Sequence, residues 1–233
     1  MPTHHPARQY AYLHGFASSK HSRKGTHMHG AFAHAKLNLH LLDLNVPSFS
    51  ELTFGGALGE VDRLVIQTDA PDDAAPGTLV PTSGTPWALY GSSMGGYLAA
   101  RWAQLHPGRV EQLILLCPGF NIQARWPELM GEDEFTRWER DGWLEVDDAQ
   151  GDPTPLHWEF VLDSRRHPNW PEVPCETLII HGTRDETVPI EGSRQYAAER
   201  PHVQLIEVDD DHSLAGSLDL IADASMRFLG ITS

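Results

Sequence analysis

Gly91-Ser92-Ser93-Met94-Gly95-Gly96 centres a serine in a Gly-x-Ser-x-Gly pattern. A short apolar run, Trp87–Tyr90, precedes it, and Gly95–Leu105 follows with the periodicity of an amphipathic helix. A serine held on a sharp strand-to-helix turn projects its hydroxyl above a sheet, with a helix N-terminus beneath it. The flanking glycines leave room for strained backbone and close helix packing. The alternative is a glycine-rich turn whose serine merely caps the helix. Five residues alone are a weak signal; the strand before and the helix after point to a nucleophile at Ser93.

A nucleophilic serine needs a base, and the base needs an orienting acid. Thr177–His181 reads as a strand, and its exit loop, Thr183–Pro189, carries Asp185. Val203–Val208 reads as another strand, followed by Asp209-Asp210-Asp211-His212-Ser213 before the last helix. Ser93, Asp185 and His212 thus run in the order nucleophile, acid, base, each at a strand end. His212 would take the Ser93 proton while Asp185 fixes its tautomer and stabilises the imidazolium. Asp209, Asp210 and Asp211 compete for the acid role, but their short tether makes His212 Nδ1 hard for them to reach. A loop Asp alone is usually a cap and a loop His usually solvated; the order joins them.

Near the N-terminus, Gln9–Leu13 alternates as a strand and enters His14-Gly15-Phe16-Ala17-Ser18-Ser19. Such a loop can turn the Phe16 N–H toward the serine, to join the Met94 N–H in stabilising a tetrahedral oxyanion. The plainer alternative is a strand-loop junction with glycine in a turn.

The elements that must position these residues alternate along the chain. Strands are expected at Tyr10–Leu13, Leu37–Leu44, Trp87–Tyr90, Gln112–Cys117, Thr177–His181 and Val203–Val208. Helices are expected at Leu58–Thr68, Gly95–Leu105, Ile190–Glu199 and Leu214–Phe228. This alternation predicts a single α/β domain over residues 1–233, its mostly parallel sheet of about six strands covered by helices on both faces. Asp69–Pro86, rich in Pro, Asp, Gly and Thr, reads as a surface loop.

Residues 120–172 interrupt the pattern and hold five of the seven tryptophans: Trp126, Trp138, Trp143, Trp158 and Trp170. Helices are expected at Glu132–Arg140 and Leu156–Asp163, separated by Pro153 and Pro155. The segment would form a small helical cap whose rings either build its own core or line an acyl pocket over Ser93. Trp126, Trp143 and His14 are the candidate substrate-binding residues.

Taken together, the Tyr12-Leu13-His14-Gly15-Phe16-x-Ser18-Ser19 opening, the Gly-Ser-Ser-Met-Gly-Gly-Tyr elbow and the Ser93, Asp185, His212 order resemble the α/β-hydrolase superfamily, and the first two resemble small bacterial YqiA-like esterases. The resemblance spans almost the whole chain. It implies a serine carboxylic-ester hydrolase, cleaving esters or thioesters through an acyl-enzyme with no metal and no cofactor. Relative to the superfamily the first strand pair is expected to be missing, since the proposed oxyanion loop begins at His14, and the long 120–172 insertion departs from the smallest members. A cap so rich in tryptophan predicts a preference for short-to-medium acyl chains. Two rivals stay open: a lyase or carbon–carbon hydrolase using the same residues, which would trap no acyl-enzyme, and a binding protein on the same scaffold.

The formal net charge of −15 opposes binding to nucleic acid or to an anionic membrane surface; the partner the resemblance implies is a small-molecule ester or thioester. Lys20, Lys24 and Lys36 are the sole lysines. No run of 18 apolar residues exists, and the first residues lack the apolar core of a signal peptide. With two distant cysteines, Cys117 and Cys175, a cytoplasmic protein is expected, and Cys117 reads as an inert core thiol. Eight histidines crowd the first 40 residues, including His27-Met28-His29. They lack carboxylate or cysteine partners at ligand spacing, so solvated histidines are expected rather than a zinc site. Asp43 reads as support for a loop.

Overall fold

Six parallel strands form the central sheet of the computed structural model, which describes residues 8–69 and 84–231. The chain opens with β1 (Gln9–Leu13), α1 (Arg23–His34), β2 (His40–Leu41), α2 (Phe54–Asp69), β3 (Trp87–Ser92), α3 (Met94–Leu105) and β4 (Val110–Leu116). An insert follows: α4 (Ile122–Met130), α5 (Glu132–Asp141), β5 (Trp143–Asp147), β6 (Pro153–His157) and α6 (Glu159–Ser164). The sheet resumes with β7 (Glu176–Gly182), α7 (Ile190–Ala198), β8 (Val203–Val208) and α8 (Leu218–Phe228). Its strand order is β2-β1-β3-β4-β7-β8. Most of the Asp69–Pro86 loop, like His4 and His5, lies outside the described residues.

Parallel strands buried on both faces read as apolar runs, and β3 (Trp-Ala-Leu-Tyr-Gly-Ser) is buried along its whole length. Two apolar clusters divide the core. One packs α2, α3 and the insert against one sheet face through Leu13, Leu89, Trp102 and Leu115. The other packs α1 and α8 against the opposite face through Tyr12, Tyr90, Ile114 and Ile180.

Three elements depart from expectation. The Leu37–Leu44 strand contracts to two paired residues, with one further bond from the Leu42 N–H to Tyr12 O, and Leu39 and Leu44 are buried in the flanking loops. Helix α1 was not expected: its buried residues Gly25, Met28 and Phe32 follow helical spacing, but histidines and small residues dilute the pattern. Its start is capped by Ser22, whose Oγ accepts the Gly25 N–H at 3.2 Å. The insert is not purely helical, since β5 and β6 form an antiparallel hairpin and the second expected helix begins only at Glu159. Pro153 and Pro155 share a side of β6 with His157, whose N–H leaves the hairpin and donates to Ser50 O at 3.0 Å. A proline on that outward edge costs no ladder bond.

The insert leaves the sheet after β4 and returns before β7, strands that lie side by side. Its ends meet where the Asn121 N–H donates to Asn169 O at 2.9 Å. Asp163, nearly buried, fastens it to the body by accepting the Gly55 N–H at 2.7 Å at the start of α2. Trp138, fully buried, packs edge-on against Trp158 and Phe135 and donates its indole N–H to Leu156 O at 2.9 Å. Trp138→Ala should therefore cost about 3–5 kcal/mol of stability, read as a fall in the urea midpoint with unchanged slope.

Candidate active site

The Gly91–Gly95 turn carries its serine in strained backbone. Ser93 has φ 54° and ψ −118°, in the region L residues avoid, and it precedes the first residue of α3. Its side chain makes no cap hydrogen bond, which disposes of the capping alternative. The turn closes so tightly that a Cβ on Gly91 would lie 2.3 Å from Gly95 O, and one on Gly95 would lie 2.2 Å from Leu13 O. Only glycine fits at either position, because the obstructing atoms are backbone.

Three strand ends deliver the expected residues to one another. Ser93 Oγ lies 3.0 Å from His212 Nε2, and His212 Nδ1 lies 2.7 Å from Asp185 Oδ2. Asp185 Oδ1 accepts the Thr187 and Val188 N–H groups at 3.0 and 2.8 Å. Burial opposes ionisation of Asp185, but hydrogen bonds from His181, His212 and the Val188 N–H outweigh it and hold the carboxyl well below the usual carboxylate range.

The neighbouring aspartates have other partners. Asp210 accepts the Asp211 and Gly216 N–H groups and the Ser217 hydroxyl, at 2.9, 3.0 and 2.8 Å. Asp211 accepts from the Ser213 N–H and hydroxyl, and Asp209 pairs with Arg184. These bonds shape the loop that carries His212. The Lys24 ammonium on α1 also holds that loop, donating to His212 O at 3.2 Å.

The His14-Gly15-Phe16 loop crosses the elbow. A Cβ on Gly15 would come within 3.4 Å of Ser93 Cβ and 4.0 Å of its Oγ. His14, a candidate for substrate binding, is fully buried and occupied by backbone: Nε2 accepts the Leu44 N–H at 3.0 Å, and Nδ1 lies 2.8 Å from Gly15 O. The Leu44 bond leaves the proton on Nδ1, which donates to Gly15 O. This corrects the substrate-binding expectation, because neither ring nitrogen is left for a ligand. Burial lowers the His14 pKa despite the Gly15 bond and the nearby Asp43 charge. Asp43 accepts the Asn45 N–H at 3.3 Å within the loop that follows β2.

Trp126 and Trp143 separate. Trp126 is buried, with its ring 5.6 Å from Phe16 and 5.4 Å from Phe160. Trp143 is 50% exposed at the start of the hairpin strand β5, away from the buried ring cluster that holds Trp126. Phe49 and Phe160 lie 5.6 and 5.2 Å from the Phe16 ring and were missed. Neither stands in a motif; only tertiary packing reveals them. Lys24 and Asp210 were missed as holders of the His212 loop for the same reason.

Cys117, His181 and Asp185 are the one set of potential metal ligands brought within 4.8 Å of one another among the described residues. Their donor atoms are committed elsewhere. His181 uses both ring nitrogens, Asp185 serves His212, and burial pushes the Cys117 thiol up, away from the thiolate a metal needs.

Residues 9–225 match the uncharacterised protein family UPF0227. No curated protein sequence matches the chain. Among solved structures, the chain is similar to ferulic acid-bound Est1E from Butyrivibrio proteoclasticus, at 20% identity and TM-score 0.74 over 98% of this chain and 91% of that one. It is also similar to mouse alpha/beta hydrolase domain-containing protein 10, at 20% identity and TM-score 0.72 over 96% and 90% of the two chains. A pyrethroid hydrolase from Sphingobium faniae JZ-2 aligns at 16% identity and TM-score 0.66 over 96% and 97%. These likenesses identify the α/β-hydrolase fold.

Proposed function

Since the chain belongs to the UPF0227 family, we propose that it is a serine hydrolase of carboxylic esters or thioesters, with Ser93, His212 and Asp185 as its triad. The observation that carries this reading is the hydrogen-bonded chain of 3.0 and 2.7 Å from Ser93 through His212 to Asp185. Ser93 Oγ attacks the acyl carbon as His212 Nε2 takes its proton. Met94 offers an N–H from the first turn of α3, where amides have no intrahelical partner. His14 adds the second: by holding Gly15 O it turns the trans-related Phe16 N–H the opposite way, as the oxyanion partner of Met94. His212 then protonates the leaving alcohol or thiol, and water deprotonated by His212 frees the acid.

The acyl group would lie against Phe16 and Trp126, a wall of rings that favours short-to-medium apolar acyl chains. Each methylene accommodated contributes up to about 0.8 kcal/mol, roughly fourfold in kcat/KM, until the space is full. Aryl esters and acyl thioesters of graded length should therefore show kcat/KM rising over the first carbons and then falling. Trp126→Ala should move that optimum to longer chains while the protein stays folded. A rise that continued through long chains, unchanged in Trp126→Ala, would refute the size filter. Absence of turnover across the series, with no fluorophosphonate adduct at Ser93, would refute the hydrolase.

A further inference from the structure

His181 is the next-to-last residue of β7 and is fully buried beside the acid. Its Nε2 lies 2.8 Å from Val188 O and 3.2 Å from Asp185 Oδ2. A carbonyl oxygen only accepts, so Nε2 carries hydrogen whatever the charge of the ring. That N–H is shared between Val188 O and the carboxylate. Nδ1 meets the Ser193 hydroxyl on α7 at 2.8 Å, which fixes the ring from its other side. Asp185 Oδ2 thus faces two imidazole donors, His212 on the solvent side and His181 on the buried side. Its other oxygen is taken by the Thr187 and Val188 N–H groups. Asp185 would keep its place without His181, but the charge on Oδ2 would no longer be divided.

We infer that His181 is a positioning residue that shares Asp185 Oδ2 with His212 and limits the negative charge the acid presents to the His212 imidazolium. The inference rests on the proposal that Ser93, His212 and Asp185 perform hydrolysis. An undivided carboxylate stabilises the imidazolium more strongly, so removing the second donor makes His212 give up its proton only at higher pH. The other ionisable groups around the pair are Cys117 at the end of β4, Lys24 on α1 and Glu207 on β8, with Asp210 and Asp211 on the His212 loop facing Lys24. All stay in place when His181 alone is replaced, so a change in the pH profile reports the shared oxygen. A purely structural role for His181 would alter stability and leave the profile where it was.

The test is kcat/KM against pH on 4-nitrophenyl acetate for wild type, His181→Leu and His181→Gln, with folding checked by circular dichroism. In His181→Leu the acid limb should move to higher pH, leaving turnover below the limb about threefold or more under wild type while the plateau changes little. Glutamine carries an N–H and a carbonyl near the positions of the two ring nitrogens, so His181→Gln should return the limb toward wild type. Should His181→Leu fail to fold, nitrogen-15 imidazole spectra of the wild type decide. The His181 Nε2–H resonance must move as His212 titrates, because both donate to one oxygen. A folded His181→Leu with an unmoved limb, or a His181 resonance blind to the His212 titration, overturns the inference. Failure of the underlying hydrolase reading shows separately, as wild-type protein that a fluorophosphonate does not label at Ser93.

Discussion

Ser93→Ala is expected to abolish ester turnover and fluorophosphonate labelling together, the largest effect of any single replacement. In a well-studied serine protease, losing the nucleophile costs about 10⁶ in kcat, with a residue of about 10³–10⁴ over water left to the oxyanion donors and binding. Ser92 is the control. It lies one residue earlier on β3 and is buried in the strand, so it cannot substitute at the apex of the turn. Intact-mass spectrometry after fluorophosphonate treatment should show one adduct in wild type and in Ser92→Ala, and none in Ser93→Ala. An adduct mapped to Ser92, or a Ser93→Ala protein with wild-type turnover, would dismiss the assignment.

The second large effect is Asp185→Asn. Both carboxylate oxygens only accept: Oδ2 faces His212 and His181, and Oδ1 faces the Thr187 and Val188 N–H groups. A carboxamide must turn its NH₂ toward one of these pairs, so donor meets donor in either orientation. His212 then loses the partner that holds its Nδ1 proton, and a drop of about 10⁴ in kcat is expected, the value found for this change in a well-studied triad. Asp211→Asn should remain near wild type, because Asp211 bonds to Ser213 and not to the base. A stability effect accompanies the kinetic one. The depressed Asp185 carboxyl contributes stability above the ordinary carboxylate range and loses it as pH falls through its own lower value. Asp185→Asn should therefore lower Tm at neutral pH and flatten its decline in acid. If Asp211→Asn were inactive and Asp185→Asn active, the acid role would pass to Asp211.

The sheet, and the strand ends that bring Ser93, Asp185 and His212 together, were legible in the sequence because their signals are local. An apolar run ending in Gly-x-Ser-x-Gly is a strand-turn-helix in almost any context, and Asp185 and His212 each follow an unmistakable strand. Side-chain direction is a different kind of information. His14 was placed in the correct loop, yet the Leu44 N–H and the Gly15 carbonyl decide where its ring points, and Leu44 is thirty residues away. The five tryptophans of residues 120–172 looked alike in sequence, while packing buried Trp126 and Trp138 and left Trp143 half exposed. Pro153 and Pro155 suggested a break between helices because a sequence does not disclose which edge of a hairpin faces outward. His181 carried no signal beyond belonging to a strand.

The single hydrogen bond joining Asn121 to Asn169 has an evolutionary consequence. A segment that departs and re-enters at one spot can be traded for another of different length without changing the spacing of β4 and β7. Selection on the proposed acyl wall can then act through Trp126 of that cassette, opposite a fixed Phe16. The residues proposed for the chemistry, Ser93, Asp185 and His212, all lie outside it, so substrate range and reaction chemistry can diversify at independent rates. A replacement must offer an apolar underside able to cover Phe16 and Phe54 and an acceptor for the Gly55 N–H, which the present insert supplies with Phe160 and Asp163.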